Sequence, residues 1–469
     1  MCWFRDAMLA VSPPRWAILC LAWLMMACAS LPPTDQLAQE PAVAPAPPKI
    51  VGAKRLLTPK ESLALIKKIK DKVPPSDILQ RHVAVEEAVT GSPLVAGNQV
   101  SLLVDDPATY GAMLEAIQGA KDNINFETFT FDDDEVGRGF AEALLRKAGQ
   151  GKRVNLIYDS AGSIDTPPAF FQRLREGGVN VLEFNPLNPL QAGSLPNLTH
   201  RDHRKVLVVD GTVAITGGVN ISGAFSRFSP ATRDKDEGPP LYWRDTDVKL
   251  QGPVVAEFQR QFLDTWRRQH GPELPPARYF PSLHPKGQAL VRVIGSKPGE
   301  KNRQTYLVYY SAIVSADRTV HMTISYFVPD EQILAALCEA ASNGVEVKII
   351  LPSGSDSKVA FYAGRSYYSQ LLEAGVQIYE HQSSVLHAKT IVIDGIWSSV
   401  GSTNMDMWSF LRNDEINAVI LDQPFASEME AMFTRDLANS RPVDPKAWEQ
   451  RPLSERIKES MARLASYWL

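Results

Sequence analysis

Arg201-Asp202-His203-Arg204-Lys205-Val206-Leu207-Val208-Val209-Asp210-Gly211 is matched, 184 residues later, by Val385-Leu386-His387-Ala388-Lys389-Thr390-Ile391-Val392-Ile393-Asp394-Gly395. In both stretches a His and a Lys two apart lead into an apolar, β-branched run that ends in Asp-Gly. The register persists: Gly217 corresponds to Gly401 and Asn220 to Asn404 at the same offset. One His-x-Lys-x4-Asp on its own is a common accident. Two copies in one register, each followed by its Asn, are an internal repeat.

Outward from the motifs, the order of elements recurs as well. Ile124 to Phe129 reads as a strand, a helix-like stretch runs on to Ala148, and Val154 to Tyr158 reads as a second strand. Val320 to Phe327, Glu331 to Ala341 and Val345 to Leu351 repeat that order. Gly151 and Gly344 supply the turn before each second strand, as βαβ units require. A further helix and strand follow around Leu174 to Val179 and around Leu372 to Val376. The first copy carries two insertions, Pro186 to Leu198 and Arg227 to Tyr242. This pattern predicts two similar α/β halves, over 95–275 and 285–440. A helical extension at 57–94 precedes them and a helical tail at 441–469 follows.

Composition narrows the function. At 469 residues, 44% hydrophobic and 22% charged, the chain can bury the cores of two or three domains. Its net charge of −4 argues against a dedicated nucleic-acid partner, which calls for a basic field. Of the four cysteines, Cys2, Cys20 and Cys28 precede the folded body, which is left with Cys338 and no internal disulfide. No Cys-x-x-Cys or Cys/His ligand spacing is present, so neither a zinc nor an iron–sulfur site is expected.

The start of the chain reads as an address. Arg5 and Arg15 precede the apolar run Trp16 to Ala27, which is short of the roughly 20 residues that span a bilayer. The run suits a signal peptide over 1–27. Leu24-Met25-Met26-Ala27-Cys28 resembles a bacterial lipobox, in which Cys28 carries the lipid; a plain secreted or signal-anchored protein is the alternative. Ala29 is not a retention Asp, so the expected location is the bacterial cell envelope, with the outer membrane favoured. A Pro/Ala-rich tether over 28–56 would hold the body a short distance from the membrane.

The motif carries its own chemistry. On a strand, residues two apart project to one face, so His and Lys stand side by side. Lysine supplies fixed positive charge for phosphoryl oxygens. A neutral imidazole can attack phosphorus and form a covalent intermediate. A second imidazole can protonate the leaving alkoxide and later deprotonate the incoming alcohol or water. Two copies supply both sets, no metal is required, and no cofactor is expected. Asp245, in Trp243-Arg244-Asp245, and Glu415, in Arg412-Asn413-Asp414-Glu415, each precede an apolar strand. A carboxylate on His Nδ1 would fix the tautomer and stabilise the imidazolium. Asp210 and Asp394, members of the motif, suit a role in organising the turn behind it.

Paired His-x-Lys-x4-Asp, each followed by Gly-x-x-Asn, resembles the phospholipase D superfamily over roughly residues 90–440. Arg201 to Lys205, Gly217 to Asn220, Trp243-Arg244-Asp245, Tyr326 to Asp330, Leu386 to Lys389 and Gly401 to Asn404 are most similar to bacterial cardiolipin synthases. The resemblance implies two halves, each a mixed sheet flanked by helices, related by a pseudo-twofold axis with the active site between them. It implies a catalytic set of His203, Lys205, Asp210, His387, Lys389 and Asp394, supported by Asn220, Asn404, Asp245 and Glu415. It also implies a phosphohistidine intermediate that carries a phosphatidyl group between phospholipids such as phosphatidylglycerol, at a membrane surface. His203 is assigned as nucleophile and His387 as acid/base, with the reverse also compatible. The alternative is a phospholipase D-type hydrolase, in which water resolves the intermediate; a nuclease is a third reading. Many such synthases begin with two membrane-spanning helices, where this chain has a signal or lipobox.

Other conspicuous residues have plainer explanations. Asp132-Asp133-Asp134-Glu135 suits a helix N-terminus better than a metal site. His200 reads as a loop residue, and His82, His270, His284, His321 and His381 as structural or surface residues. The pairs Tyr309-Tyr310, Tyr326-Phe327 and Tyr367-Tyr368 suit core packing for the most part, with the lining of a lipid channel as the alternative. From Ile457 to Leu469 the chain reads as an amphipathic helix, with Met461, Leu464 and Trp468 on one side, docked to the body.

Overall fold

A computed structural model describes residues 31–466, apart from 33, 35–46, 72–73, 75, 80, 188–198, 226–241 and 300–302. The signal segment, Cys28, most of the tether, nearly all of both insertions and Trp468 lie outside the described residues.

The strands of the first part are β1 (Ile50–Val51), β2 (Leu94–Val104), β3 (Asn123–Thr128), β4 (Arg153–Asp159), β5 (Asn180–Phe184), β6 (Arg201–Asp202), β7 (Val206–Val209), β8 (Val213–Gly217), β9 (Trp243–Arg244) and β10 (Thr246–Gln251). Those of the second are β11 (Ala289–Ser296), β12 (Thr319–Ile324), β13 (Glu346–Pro352), β14 (Gln377–His381), β15 (Val385–Leu386), β16 (Lys389–Ile393), β17 (Trp397–Gly401), β18 (Asn413–Leu421) and β19 (Ser440–Pro442). Across the first half the order is β5-β4-β3-β7-β8-β10-β2. Across the second it is β14-β13-β12-β16-β17-β18-β11, with β19 beyond β14. In both halves the leading three strands are parallel and the rest antiparallel. The parallel strands come from βαβ units. Helix Glu135–Gly149 links β3 to β4, and helix Glu331–Ser342 links β12 to β13. Asp134 and Asp330 cap these helices by accepting from backbone N–H groups of the first turn. The acidic run at 132–135 is therefore a helix start.

The halves are joined twice over. β2 pairs with β10 along Gln99–Val104 and with β11 through Val95 and Asn98, so one strand belongs to both sheets. The motif strands supply the second junction. Val206 and Val208 of β7 pack in a core that also holds Val392, Val400 and Ile416 of the other half. Leu207 and Val209 turn to the first half's own core, and Ile391 and Ile393 to that of the second. This is the alternation a two-faced buried strand demands.

The extension and tail pack on the second half. Helix His82–Thr90 presents buried Glu86, which accepts from Trp397 Nε1 at 2.8 Å and Arg292 Nε at 3.1 Å. Tail helix Leu453–Arg463 packs on helix Lys358–Arg365, but with Glu459 and Ala462 inward and Met461 and Leu464 exposed. It docks by the side opposite its apolar stripe.

Candidate active site

The His–Lys pairs sit where the motif segments enter the shared core. His203, Arg204 and Lys205 occupy the extended segment just before β7, and Lys389 opens β16. Each His is then tied to the opposite half by short parallel pairings. β6 pairs with the start of β18, Arg201 opposite Asn413 and Asp202 opposite Asp414. β15 pairs with β9, Val385 opposite Trp243 and Leu386 opposite Arg244. The next residue in each case is the motif histidine. His203 N–H donates to the Asp414 carbonyl at 2.9 Å, and His387 N–H to the Arg244 carbonyl at 2.8 Å.

That crossing delivers each imidazole to the other half's carboxylate. His203 Nδ1 lies 3.1 and 3.0 Å from the two carboxylate oxygens of Glu415, and His387 Nδ1 lies 2.7 Å from Asp245 Oδ2. A carboxylate on Nδ1 holds the proton there and leaves the Nε2 lone pair free for substrate. Glu415 is itself held by Ser402 Oγ and by Asn413 Nδ2 at 3.2 Å. Gly218 takes the place of Ser402 beside Asp245. A Cβ there would stand 2.2 Å from Asp245 Oδ1, so that carboxylate depends on the bare backbone. Buried Arg204 fastens the frame through the Glu415 carbonyl (3.1 Å), Thr265 Oγ1 (2.9 Å) and the Ser296 carbonyl (3.0 Å).

Charge shows that the four groups share one space. Burial pushes His203 below its ordinary pKa, with Lys205 and Lys389 adding to the effect against the pull of Glu415. His387 is driven well below, by burial, then by Lys389, Lys205 and His203. Burial lowers Lys205 to about 7, opposed by Glu415 and reinforced by Lys389, and lowers Lys389 to about 8. Burial also lifts Asp245 to about 6. Burial works against Glu415 too, but His203, Lys205 and Ser402 outweigh it and hold this carboxyl low. Burial and mutual repulsion hold both lysines low, and an arriving phosphodiester anion between them would favour their charged forms.

A pH dependence follows. As pH rises through about 7 to 8 the empty site loses its ammonium charges. kcat/KM, which reports the free enzyme, should fall over that window, and kcat less so because bound phosphate raises both lysines. Stability runs the other way. Between about 7 and the ordinary lysine value of 10.5, the unfolded chain binds more protons than the folded one. Wild-type stability should therefore rise with pH relative to Lys205→Met, by up to about 1.4 kcal/mol per pH unit. Denaturant titrations at pH 6.5 and 9 measure it; a flat difference would refute the burial of this charge.

Asn220 and Asn404 occupy equivalent places. Asn220 Oδ1 accepts from Thr130 N–H at 3.2 Å, and Asn404 Oδ1 from Ser325 Oγ at 3.0 Å, which leaves each NH2 to donate. Asp210 and Asp394 are the correction. They lie at the far ends of β7 and β16 from the histidines, and both take a left-handed backbone, φ 53° and 55°. Asp210 accepts from the N–H groups of Lys121, Asp122 and Asn123 at 2.8–3.0 Å. Asp394 accepts from those of Asp317, Arg318 and Thr319 at 2.8–3.0 Å, and from Ser76 Oγ at 2.6 Å. They organise the turn behind the motif and do not belong in a catalytic set.

Phe129 and Phe225 had no sequence signal of their own, whereas Trp243 and Tyr326 lay in stretches that carry the resemblance. Phe129 stands edge-on to His203 with centroids 5.2 Å apart, and Lys205 Nζ lies 5.1 Å from its ring. Phe225 and Trp243 flank His387 at 5.3 and 4.9 Å. Tyr326 faces His387 at 6.4 Å and donates to Asp356, so it departs from the packing role of Tyr309 and Tyr368. The repeat could have pointed to Ser402, between Gly401 and Asn404. His200 Nε2 donates to Asp414 Oδ1 at 2.7 Å, a structural tie next to Glu415. Among the described residues no group of three or more His, Cys, Asp or Glu could hold a metal ion.

Two imidazole–carboxylate pairs are exchanged between the halves, with a lysine beside each, an arrangement suited to phosphodiester chemistry. Residues 113–227 and 309–437 match the family described as cardiolipin synthase, PLD-like domain. A cardiolipin synthase of Geobacillus sp. (strain WCH70) is 37% identical over 80% of this chain and 73% of its own. One from Listeria monocytogenes serotype 4a is 33% identical over 80% and 76%. Phosphatidylserine synthase of Haemophilus influenzae Rd KW20 shares the fold, with a TM-score of 0.61 at 14% identity over 83% of this chain and all of that one. The chain belongs to the phospholipase D superfamily, in its cardiolipin synthase-like family, and is an enzyme of that superfamily.

Proposed function

We propose that this enzyme transfers a phosphatidyl group from one phospholipid to a hydroxyl of another, as its cardiolipin synthase relatives are named for doing. The observation that carries the reading is the exchange of His–carboxylate pairs around two buried lysines. In the first step Nε2 of His203 attacks the phosphorus of phosphatidylglycerol. The N–P bond forms, the P–O bond to the glycerol headgroup breaks, and His387 passes a proton to the departing alkoxide. Lys205, Lys389 and the two Asn amides hold the phosphoryl oxygens. In the second step His387 takes the proton from a hydroxyl of a second phosphatidylglycerol. That oxygen attacks phosphorus, the N–P bond breaks, and His203 is released. His387 sits well below its ordinary pKa in the empty site, and the arriving anion offsets the lysines so that it can carry the proton.

Purified protein incubated with phosphatidylglycerol should yield cardiolipin and glycerol in equal amounts. Phosphatidic acid with glycerol would mean that water is the acceptor and that the enzyme is a hydrolase. The same reading holds the mature chain on the bacterial cell envelope through an acylated Cys28. The intact mass of the mature N-terminus tests it, and an unprocessed 1–27 segment would refute it.

A further inference from the structure

We propose that the outward face of helix Leu453–Arg463 and its following turn is the surface by which the enzyme lies on an anionic phospholipid bilayer, at the edge where the active site opens. The inference rests on the phospholipid reading above and adds the element that would meet the lipid. Leu453, Ile457, Met461 and Leu464 are 69%, 49%, 67% and 84% exposed. At 100° per residue they fall within one 80° sector of the helix. Glu459 and Ala462, on the opposite side, are buried. The helix is therefore already docked, and its apolar stripe is left without a partner among the described residues. Arg456 and Arg463 flank the stripe on one side; on the other Lys458 is paired with Glu455 at 2.7 Å. An apolar stripe with an arginine border fits a bilayer interface of negative charge.

Position supports the same occupant. The helix packs along Lys358–Arg365: Lys458 Nζ reaches Tyr362 at 3.3 Å, and Arg463 lies over the Tyr367 ring at 4.7 Å. Lys358–Arg365 in turn lies across the carboxyl ends of β12 and β13. Its Gly364 comes so close that a Cβ would be 2.6 Å from the Phe327 carbonyl, and Phe361 and Gly364 line one small cavity with Ser325 and Pro352. Ser325 bonds Asn404, and Tyr326 faces His387. Asp356, two residues before the helix, is exposed and accepts from Tyr326, whose ring stands 6.4 Å from that of His387, so the site reaches the surface here. At the same edge Thr34 N–H and Oγ1 are bonded to Gln332 Oε1, at 2.9 and 2.6 Å, in the first turn after β12. Thr34 is thus pinned at this edge.

The test uses the chain from residue 28 with Cys28→Ser, so that neither leader nor acyl chain contributes. Ile457→Asp/Met461→Asp/Leu464→Asp is compared with the parent by co-sedimentation with phosphatidylglycerol/phosphatidylcholine vesicles and with pure phosphatidylcholine vesicles. The parent should bind the anionic vesicles preferentially. The variant should lose binding by at least about tenfold and lose vesicle turnover in step. It should keep turnover of a monomeric short-chain phosphatidylglycerol within roughly twofold. Leu464→Asp alone, at the most exposed of the four, is run in parallel as a folding-safe version and should show a smaller loss of the same kind. Undiminished vesicle binding by both variants overturns the proposal. So does conversion from dimer to monomer with binding retained, which would make the stripe a subunit contact. Vesicle binding by a parent that turns over neither substrate would count against phosphatidyl transfer alone and leave the surface assigned.

Discussion

His203→Ala and His387→Ala should each lower turnover of phosphatidylglycerol by about four orders of magnitude or more, since neither half can complete the displacement alone. Stability should change little by comparison. Each ring is small and its carboxylate keeps other partners, Ser402, Asn413 and Lys205 for Glu415, and Thr246 N–H and Lys389 for Asp245. An unfolding change within about 2 kcal/mol is expected. The two variants should differ in what they accumulate. With donor labelled in its acyl chains, whatever label His387→Ala retains should sit on His203, because both steps lose their proton carrier while the nucleophile remains. Label on His387 in the His203→Ala protein would reverse the roles. Substantial residual turnover in either variant, with neither labelled, would contradict shared catalysis.

The second large effect lies in the exchanged carboxylates. Glu415→Gln, isosteric but uncharged, should reduce kcat by about 10²–10⁴, with a smaller change in KM. An amide can accept from Nδ1–H, but it can equally present its NH2 and leave the proton on Nε2, where the lone pair is needed. It also withdraws the charge that stabilises an imidazolium. The diagnostic feature is the location of the defect. Glu415 belongs to the second half, and its loss should slow the step performed by His203 of the first. Asp245→Asn should likewise slow the step performed by His387. If Glu415→Gln impaired only proton transfer at His387 and left formation of the phosphohistidine at its normal rate, the exchanged pairing would be wrong.

Asymmetry between the pairs refines the expectation. Asp245 is lifted to about 6 by burial, whereas Glu415 is held low by His203, Lys205 and Ser402 against its own burial. As pH falls through about 6, the Asp245–His387 pair loses its negative charge before the Glu415–His203 pair does. The acid limb of a pH profile should therefore report on His387 and move in Asp245 variants.

Much of this was legible in the chain. The 184-residue register of His203, Lys205, Asn220 and their counterparts requires two equivalent structures, since strand and turn geometry follow from local sequence. Valine and isoleucine runs behind each motif specify buried strands, and the Asp-Gly ends specify left-handed turns, where both Asp210 and Asp394 are found. What local pattern cannot express is which half a side chain will face. Asp245 and Glu415 stand out as carboxylates before apolar strands, yet nothing near them in sequence says that each serves the distant histidine. That follows from β6 pairing with β18 and β15 with β9, which are contacts between segments over 140 residues apart. The membership of Asp210 and Asp394 in the site was likewise undone by length: seven residues of extended chain from each His to its Asp span roughly 20 Å. The tail helix shows the same division. Its stripe was readable, but which side met the body depended on buried Glu459 meeting Arg365 of the second half, at 3.6 Å.

By itself the sequence determined the repeat, the two α/β halves and the residue types of a phosphoryl-transfer centre, because each of these is written in spacing and in side-chain period. Only the tertiary structure decided that the halves exchange their carboxylates, that the lysines are buried near one another, and that the turn aspartates stand apart. Those depend on packing between remote segments, where burial and proximity shift charge and hydrogen bonding in ways no local stretch of chain contains.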